Sequence, residues 1–157
     1  MKRVVAVALV ALGACGGSTT LTGTYTVAFQ STEEAVAAES LRVMVFDTST
    51  IDAQEACVHL MALRASNQAL PPAMTEVAST SCGLRNGGGS FNAPFGNIAV
   101  LVLAQAKGQA TDLARGCATQ HFSADVTSIT VEVALVPGTQ IPATMCTSLS
   151  QHCGGGC

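Results

Sequence analysis

Val126-Thr127-Ser128-Ile129-Thr130-Val131-Glu132-Val133-Ala134-Leu135-Val136 is the clearest alternation in the chain. Successive strand residues point to opposite faces, so Ile129, Val131, Val133 and Leu135 share an inward face while Ser128, Thr130 and Glu132 look outward. This is a strand with one wet side, and Pro137-Gly138 stops it. Thr24 to Gln30 repeats the pattern, with Tyr25, Val27 and Phe29 set against Thr26 and Ala28. Leu41 to Phe46 is a further strand, with Leu41, Val43 and Val45 on one face and Arg42, Met44 and Phe46 on the other. Ile98 to Ala104 is apolar on both faces, as suits a strand covered on both sides. Leu113 to Thr119 reads as a short strand after the turn around Lys107-Gly108.

One stretch breaks the strand rhythm. Asp52 and Glu55 stand three apart like a capping box, and Cys57, Leu60, Met61 and Arg64 recur at helical spacing, which predicts a helix from Asp52 to Arg64. Such a helix is the simplest cover for the second apolar face of Leu41 to Phe46. The other reading of that face is a patch offered to a partner. Pro71-Pro72 ends whatever follows the helix, and Asn86-Gly87-Gly88-Gly89-Ser90 reads as a flexible loop. Short strands between turn signals, with one helical insertion, predict a mainly β fold, an antiparallel β-sandwich over 22–137, in preference to βαβ units.

A chain of 157 residues, 48% hydrophobic and 11% charged, suits one globular domain and neither a disordered chain nor a polytopic membrane protein. At its start Lys2 and Arg3 form a basic region, and Val4 to Leu12 an apolar run far shorter than the roughly 20 residues a membrane span needs. Residues 1–14 are therefore expected to be a cleaved signal. Without Lys2 and Arg3 the formal charge falls from -3 to -5, five Lys and Arg against ten Asp and Glu. Clustered cations are missing, which argues against nucleic acid as a partner.

Leu12-Gly13-Ala14-Cys15 resembles the lipobox of bacterial lipoproteins. The resemblance implies that Cys15 receives diacylglycerol and acyl chains such as palmitate, becomes the first residue after cleavage, and anchors the protein to a membrane. The plainer alternative is an ordinary secretory signal with an incidental cysteine. Gly16 stands where the family's inner-membrane retention rule has Asp, which implies an exported protein of the cell envelope held at the outer membrane. Residues 15–21 read as a flexible tether. Asn97 to Ala104, Leu113 to Cys117 and the final alternating strand are loosely similar to closing strands of immunoglobulin-like or transthyretin-like modules on surface lipoproteins, and this implies no functional residue.

Of the seven cysteines, assigning Cys15 to lipid leaves Cys57, Cys82, Cys117, Cys146, Cys153 and Cys157, an even number in an oxidising setting. Three lie in the body and three in the Cys- and Gly-rich tail, 138–157, so complete pairing staples the tail to the body. The preferred set is Cys57 with Cys117, Cys82 with Cys146, and Cys153 with Cys157, among fifteen connectivities for six cysteines. An alternative gives Cys146, His152, Cys153 and Cys157 to a metal ion, against the grain of the compartment and of zinc spacing.

His59, His121 and His152 are the only candidates for a catalytic base, and each reads better as a surface or partly buried histidine. No Gly-x-Ser-x-Gly elbow occurs, and Gly87 to Gly89 lacks the Lys and helix of a phosphate loop. Asp47 and Asp52 flank a turn that could hold Ca²⁺ weakly, although turn formation explains them equally well. These features favour a binding or structural module that is not an enzyme and carries no cofactor. The competing expectation is a metal-binding protein or small hydrolase whose site forms only in the fold.

Overall fold

The computed structural model describes residues 20–84, 88–143 and 145–156. The chain runs through β1 (Thr20–Phe29), α1 (Thr32–Ala37), β2 (Ala38–Asp47), α2 (Ala53–Ala65), β3 (Thr75–Ser79), α3 (Ser81–Leu84), β4 (Gly89–Pro94), β5 (Gly96–Ala106), β6 (Asp112–Phe122), β7 (Ser128–Leu135) and α4 (Leu149–Cys153). The expectations for a signal over 1–14 and for lipid on Cys15 fall, like Cys157, outside the described residues. β1 already includes Thr20 and Leu21, which the sequence assigned to the tether.

The fold is mainly β, but the expected antiparallel sandwich is corrected. The seven strands form one mixed sheet in the order β3-β2-β5-β6-β7-β1-β4, curled into a nearly closed barrel. β1 and β7 run parallel, Thr24 beside Ser128 and Phe29 beside Val133, while the other pairs are antiparallel. No hairpin links β1 to β7, so nothing local forces them to run in opposite directions. Between β6 and β7 the paired register is Ala114 with Leu135 and Arg115 with Ala134. Gly116 allows β7 to approach β6 closely, because a Cβ there would overlap the Glu132 carbonyl oxygen. Across the remaining gap, the Thr75 hydroxyl on β3 donates to the Asn92 carbonyl on β4 at 2.7 Å.

Burial explains the patterns. Tyr25, Phe91, Phe122, Ile129, Val131 and Val133 fill the barrel with the inward residues of β2 and β5. The rings of Phe91 and Phe122 stand 5.5 Å apart. β5 is apolar from Ile98 to Ala104 because Ile98, Val100 and Val102 face this interior, while Ala99, Leu101 and Leu103 lie in a second cluster with Ala56 and Leu60 of α2. Met44 and Phe46 belong to that second cluster, so the helix covers the outer face of β2. The opposite side of the barrel carries the exposed Thr22, Thr24, Thr130 and Glu132, which is why β1 and β7 alternate.

The expectation of a single helix is corrected by α1, α3 and α4. α1 starts on a capping box: the Ser31 hydroxyl accepts from the Glu34 amide at 3.1 Å and the Glu34 carboxylate accepts from the Gln30 amide at 3.2 Å. α4 starts similarly, with Ser148 accepting from the Gln151 amide at 3.1 Å. The glycine run also differs from a free loop. Gly89 and Ser90 begin β4, and Gly88 and Gly89 are small because β1 passes against them, their Cβ positions already filled by the Tyr25 carbonyl and ring.

Candidate functional site

At the end of β2 the chain leaves the sheet through a tight turn. The Asp47 carboxylate accepts from the Ser49 amide at 2.8 Å, and the Ile51 amide donates to the Thr48 carbonyl at 3.1 Å. The Ala56 amide donates to the Asp52 carbonyl at 2.9 Å to open α2. After the helix, Pro71-Pro72 can neither extend it nor join the sheet ladder, and the Met74 amide then donates to Val45 at 2.8 Å to begin β3. Between these segments lies a cleft of about 170 Å³, lined by Phe46, Ile51, Leu60, Pro71, Pro72 and Met74 with Asp47 and His59 beside them. A cavity of roughly 150 Å³ holds a benzene-sized molecule. The cleft thus has room for one small apolar group.

The cleft brings His59 and Asp47 to the same place without coupling them. The His59 side chain makes no hydrogen bond among the described residues, and Asp47 is committed to the Ser49 amide, the turn role expected of it. His121 Nδ1 meets Asn97 Oδ1 at 2.8 Å in an exposed position, and His152 Nδ1 lies 3.8 Å from Cys146 Sγ. The three histidines stand apart, and none joins a Ser and an acid among the described residues.

Cys57 on α2 is bonded to Cys117 on β6, the pair preferred above. Cys82 on α3 is bonded to Cys153 on α4, which corrects both the Cys82–Cys146 and the Cys153–Cys157 pairs. The reason is helical: the turns at Ser81–Leu84 and Leu149–Cys153 set their cysteines side by side, with Cα atoms 5.3 Å apart. Cys146 is disulfide-bonded as well. The alternative metal set Cys146, His152, Cys153 and Cys157 is overturned for the described residues, because a bridged sulfur has no thiolate to offer. No group of three or more His, Cys, Asp and Glu side chains converges there, and this applies to the Asp47 and Asp52 turn too.

A feature that the sequence did not disclose fastens the far end of α2. Arg64 grips the buried Asp112 with two bonds, Nε to Oδ2 at 2.7 Å and Nη2 to Oδ1 at 2.8 Å. Hydrogen bonding to Asp112 raises the pKa of the Arg64 guanidinium, burial works against the rise, and the Asp112 charge adds to it. The partners are 48 residues apart, so no local spacing announces them. The pair borders a polar groove that also contains Arg115, Thr111 and Thr139.

Disulfides of this kind form and persist in oxidising compartments, so the fold is that of an exported protein. Among the described residues, no helix is long and apolar enough to cross a membrane. Neither a protein family nor any curated protein matches the chain. Among solved structures it is similar to a proposed polysaccharide-binding protein of Bacteroides thetaiotaomicron, with 10% identity and a TM-score of 0.41 over 71% of this chain and 46% of that one. The chain therefore spans less than half the length of that protein.

Proposed function

We propose that this chain is a lipid-anchored cell-envelope protein, held at the outer membrane through Cys15, whose barrel is a non-enzymatic binding module. The observation that carries the reading is covalent. Two bridges, Cys57–Cys117 and Cys82–Cys153, brace the body and fasten its tail, as an exported domain requires, while Cys15 stands in the lipobox Leu12-Gly13-Ala14-Cys15. The 170 Å³ cleft beside α2 is the binding site, and its apolar walls select a small apolar group over a sugar or an ion. His59 and Asp47 border it as polar rim, not as an acid–base pair.

Intact mass of the protein extracted from its native membrane tests the anchoring. The expected chain begins at Cys15, carries lipid, and gains six hydrogens on reduction, one for each remaining cysteine of the seven. An unlipidated chain with a different first residue refutes the anchoring. For the cleft, titration of the purified protein with small apolar probes such as indole is expected to show saturable binding that Leu60→Phe abolishes by filling the space. Unchanged binding in that variant removes the cleft from the proposal.

A further inference from the structure

Phe95 follows β4 and is 49% exposed; Val126 precedes β7 and is 38% exposed; Ile51 follows β2 at 46%; and Met74 precedes β3 at 37%. Strand register puts all four at one end of the barrel. Pro94 pairs with Thr20, Gly96 with Phe122, Asp47 with Ile98 and Thr75 with Val45. The ends of β2, β4 and β6 and the starts of β1, β3, β5 and β7 therefore meet there. Two backbone bonds tie the loops to this rim, Thr24 N to Thr127 O at 2.8 Å and Thr48 N to Asn97 O at 3.0 Å. The opposite end carries α1, the Lys107-Gly108 turn and the tail bonded through Cys82 and Cys153.

Thr20, where β1 begins, belongs to the apolar end, and Cys15 precedes it by five residues. Five residues reach at most about 18 Å at full extension. A domain of this size has a radius of gyration of roughly 14 Å. A lipid on Cys15 thus holds the barrel by this end, on a tether shorter than the domain is wide.

We infer that the end formed by Phe95, Val126, Ile51 and Met74 rests on the lipid surface itself, so that the protein stands upright on the membrane with its disulfide-bonded tail outermost. The inference deepens the proposed function and rests on lipidation of Cys15. Charge narrows the kind of surface. Among the described residues, Asp47 and Asp125 are exposed at this end, whereas Arg42 and Arg115 both stand at the level of Leu103, Arg64 is bound to Asp112, and Lys107 lies on the opposite turn. An end that is acidic among the described residues fits neutral headgroups and is repelled by anionic ones. Ile51 and Met74 also line the cleft, so its mouth opens beside the lipid.

The chain contains no tryptophan, which allows single reporters. Lipidated full-length Phe95→Trp, Val126→Trp and Lys107→Trp are reconstituted in phosphatidylcholine vesicles with and without brominated acyl chains, and lipid on each sample is verified by intact mass. The expected result is at least twofold quenching with a blue-shifted emission for Phe95→Trp and Val126→Trp, none for Lys107→Trp, and weaker quenching when phosphatidylglycerol is added. Two positions at the lipid end keep the test valid if one variant misfolds. Lipid on Cys15 with no quenching at either position overturns the orientation and leaves the anchoring intact. Absent lipid overturns both. A blue shift found in native membranes but not in protein-free vesicles overturns the lipid surface in favour of a protein partner.

Discussion

Among the described residues, eighteen buried apolar residues from six strands meet in one cluster inside the barrel, whereas seven meet under α2, with Ala56 and Leu60 from the helix. Val58, in the middle of the helix, is 71% exposed. The nearly closed barrel is held by its own burial and by hydrogen bonds between neighbouring strands. The helical layer has the smaller buried cluster, with Cys57 and Met61 partly buried against it. It is held at two points, by Cys57–Cys117 and by the Arg64–Asp112 pair. The cleft lies on this side, beside the N-terminal half of α2 and away from the Arg64 fastening. As the proposed binding site, a cleft on this side could adjust to a ligand without loosening the barrel.

The hardest blow to the barrel is Gly116→Val. No rotamer relieves a clash with the Glu132 backbone, so β6 and β7 must separate, and the expected loss exceeds about 5 kcal/mol. Urea unfolding and recovery of soluble protein would measure it; a variant that folds normally would show that the β6–β7 contact does not depend on close approach at Gly116.

Replacing Cys57 and Cys117 together by Ala frees a 60-residue loop, worth about 4 kcal/mol in the chain-entropy account. Hydrogen exchange distinguishes this loss from a global one. Amides of α2 should lose protection first while those of β1 and β7 keep theirs, and simultaneous loss in all three would mean that helix and barrel unfold as one unit. The Cys82 and Cys153 double replacement frees a 71-residue loop of similar worth, but should loosen the tail and leave α2 protected.

Arg64→Ala leaves the Asp112 carboxylate buried without its partner, at a cost of about 2 kcal/mol. Arg64→Lys keeps the charge but loses the two-pronged grip, and should recover about half. Equal melting temperatures for wild type and both variants would remove the pair from the list of fastenings.

The smallest effect concerns the barrel interior at high pH. Burial raises the Tyr25 phenol above its ordinary 10.0, and the nearby Ser79 hydroxyl offsets part of the rise although it stands outside bonding geometry. The folded state therefore holds this proton more tightly than the unfolded chain does. Its contribution to stability is complete below pH 10.0 and is lost as pH rises through the folded pKa. Tyr25 is the single tyrosine, so phenolate absorbance reads it alone. Titration at the ordinary value in the folded protein would contradict this account.

The sequence by itself determined those elements whose periodicity is long and whose faces differ. β7 and α2 were legible because eight residues of strict alternation and thirteen at helical spacing leave little choice of secondary structure. The short pieces escaped. β3 has five residues with no fully buried position, β4 opens on glycine, and α1 and α4 are shorter than two full turns, although the Ser31 to Glu34 and Ser148 to Gln151 spacings carried their capping signals. Oxidative pairing of the cysteines was readable from their number and compartment. Which sulfurs meet was not, because Cys82 and Cys153 are 71 residues apart and only the packing of two short helices joins them. The same holds for the parallel β1–β7 pair, the grip of Arg64 on Asp112 and the apolar end around Phe95. Local physics sets a strand or a helix within a few residues, while barrel closure, ion pairs and shared ends depend on contacts between distant segments that no spacing in the chain records.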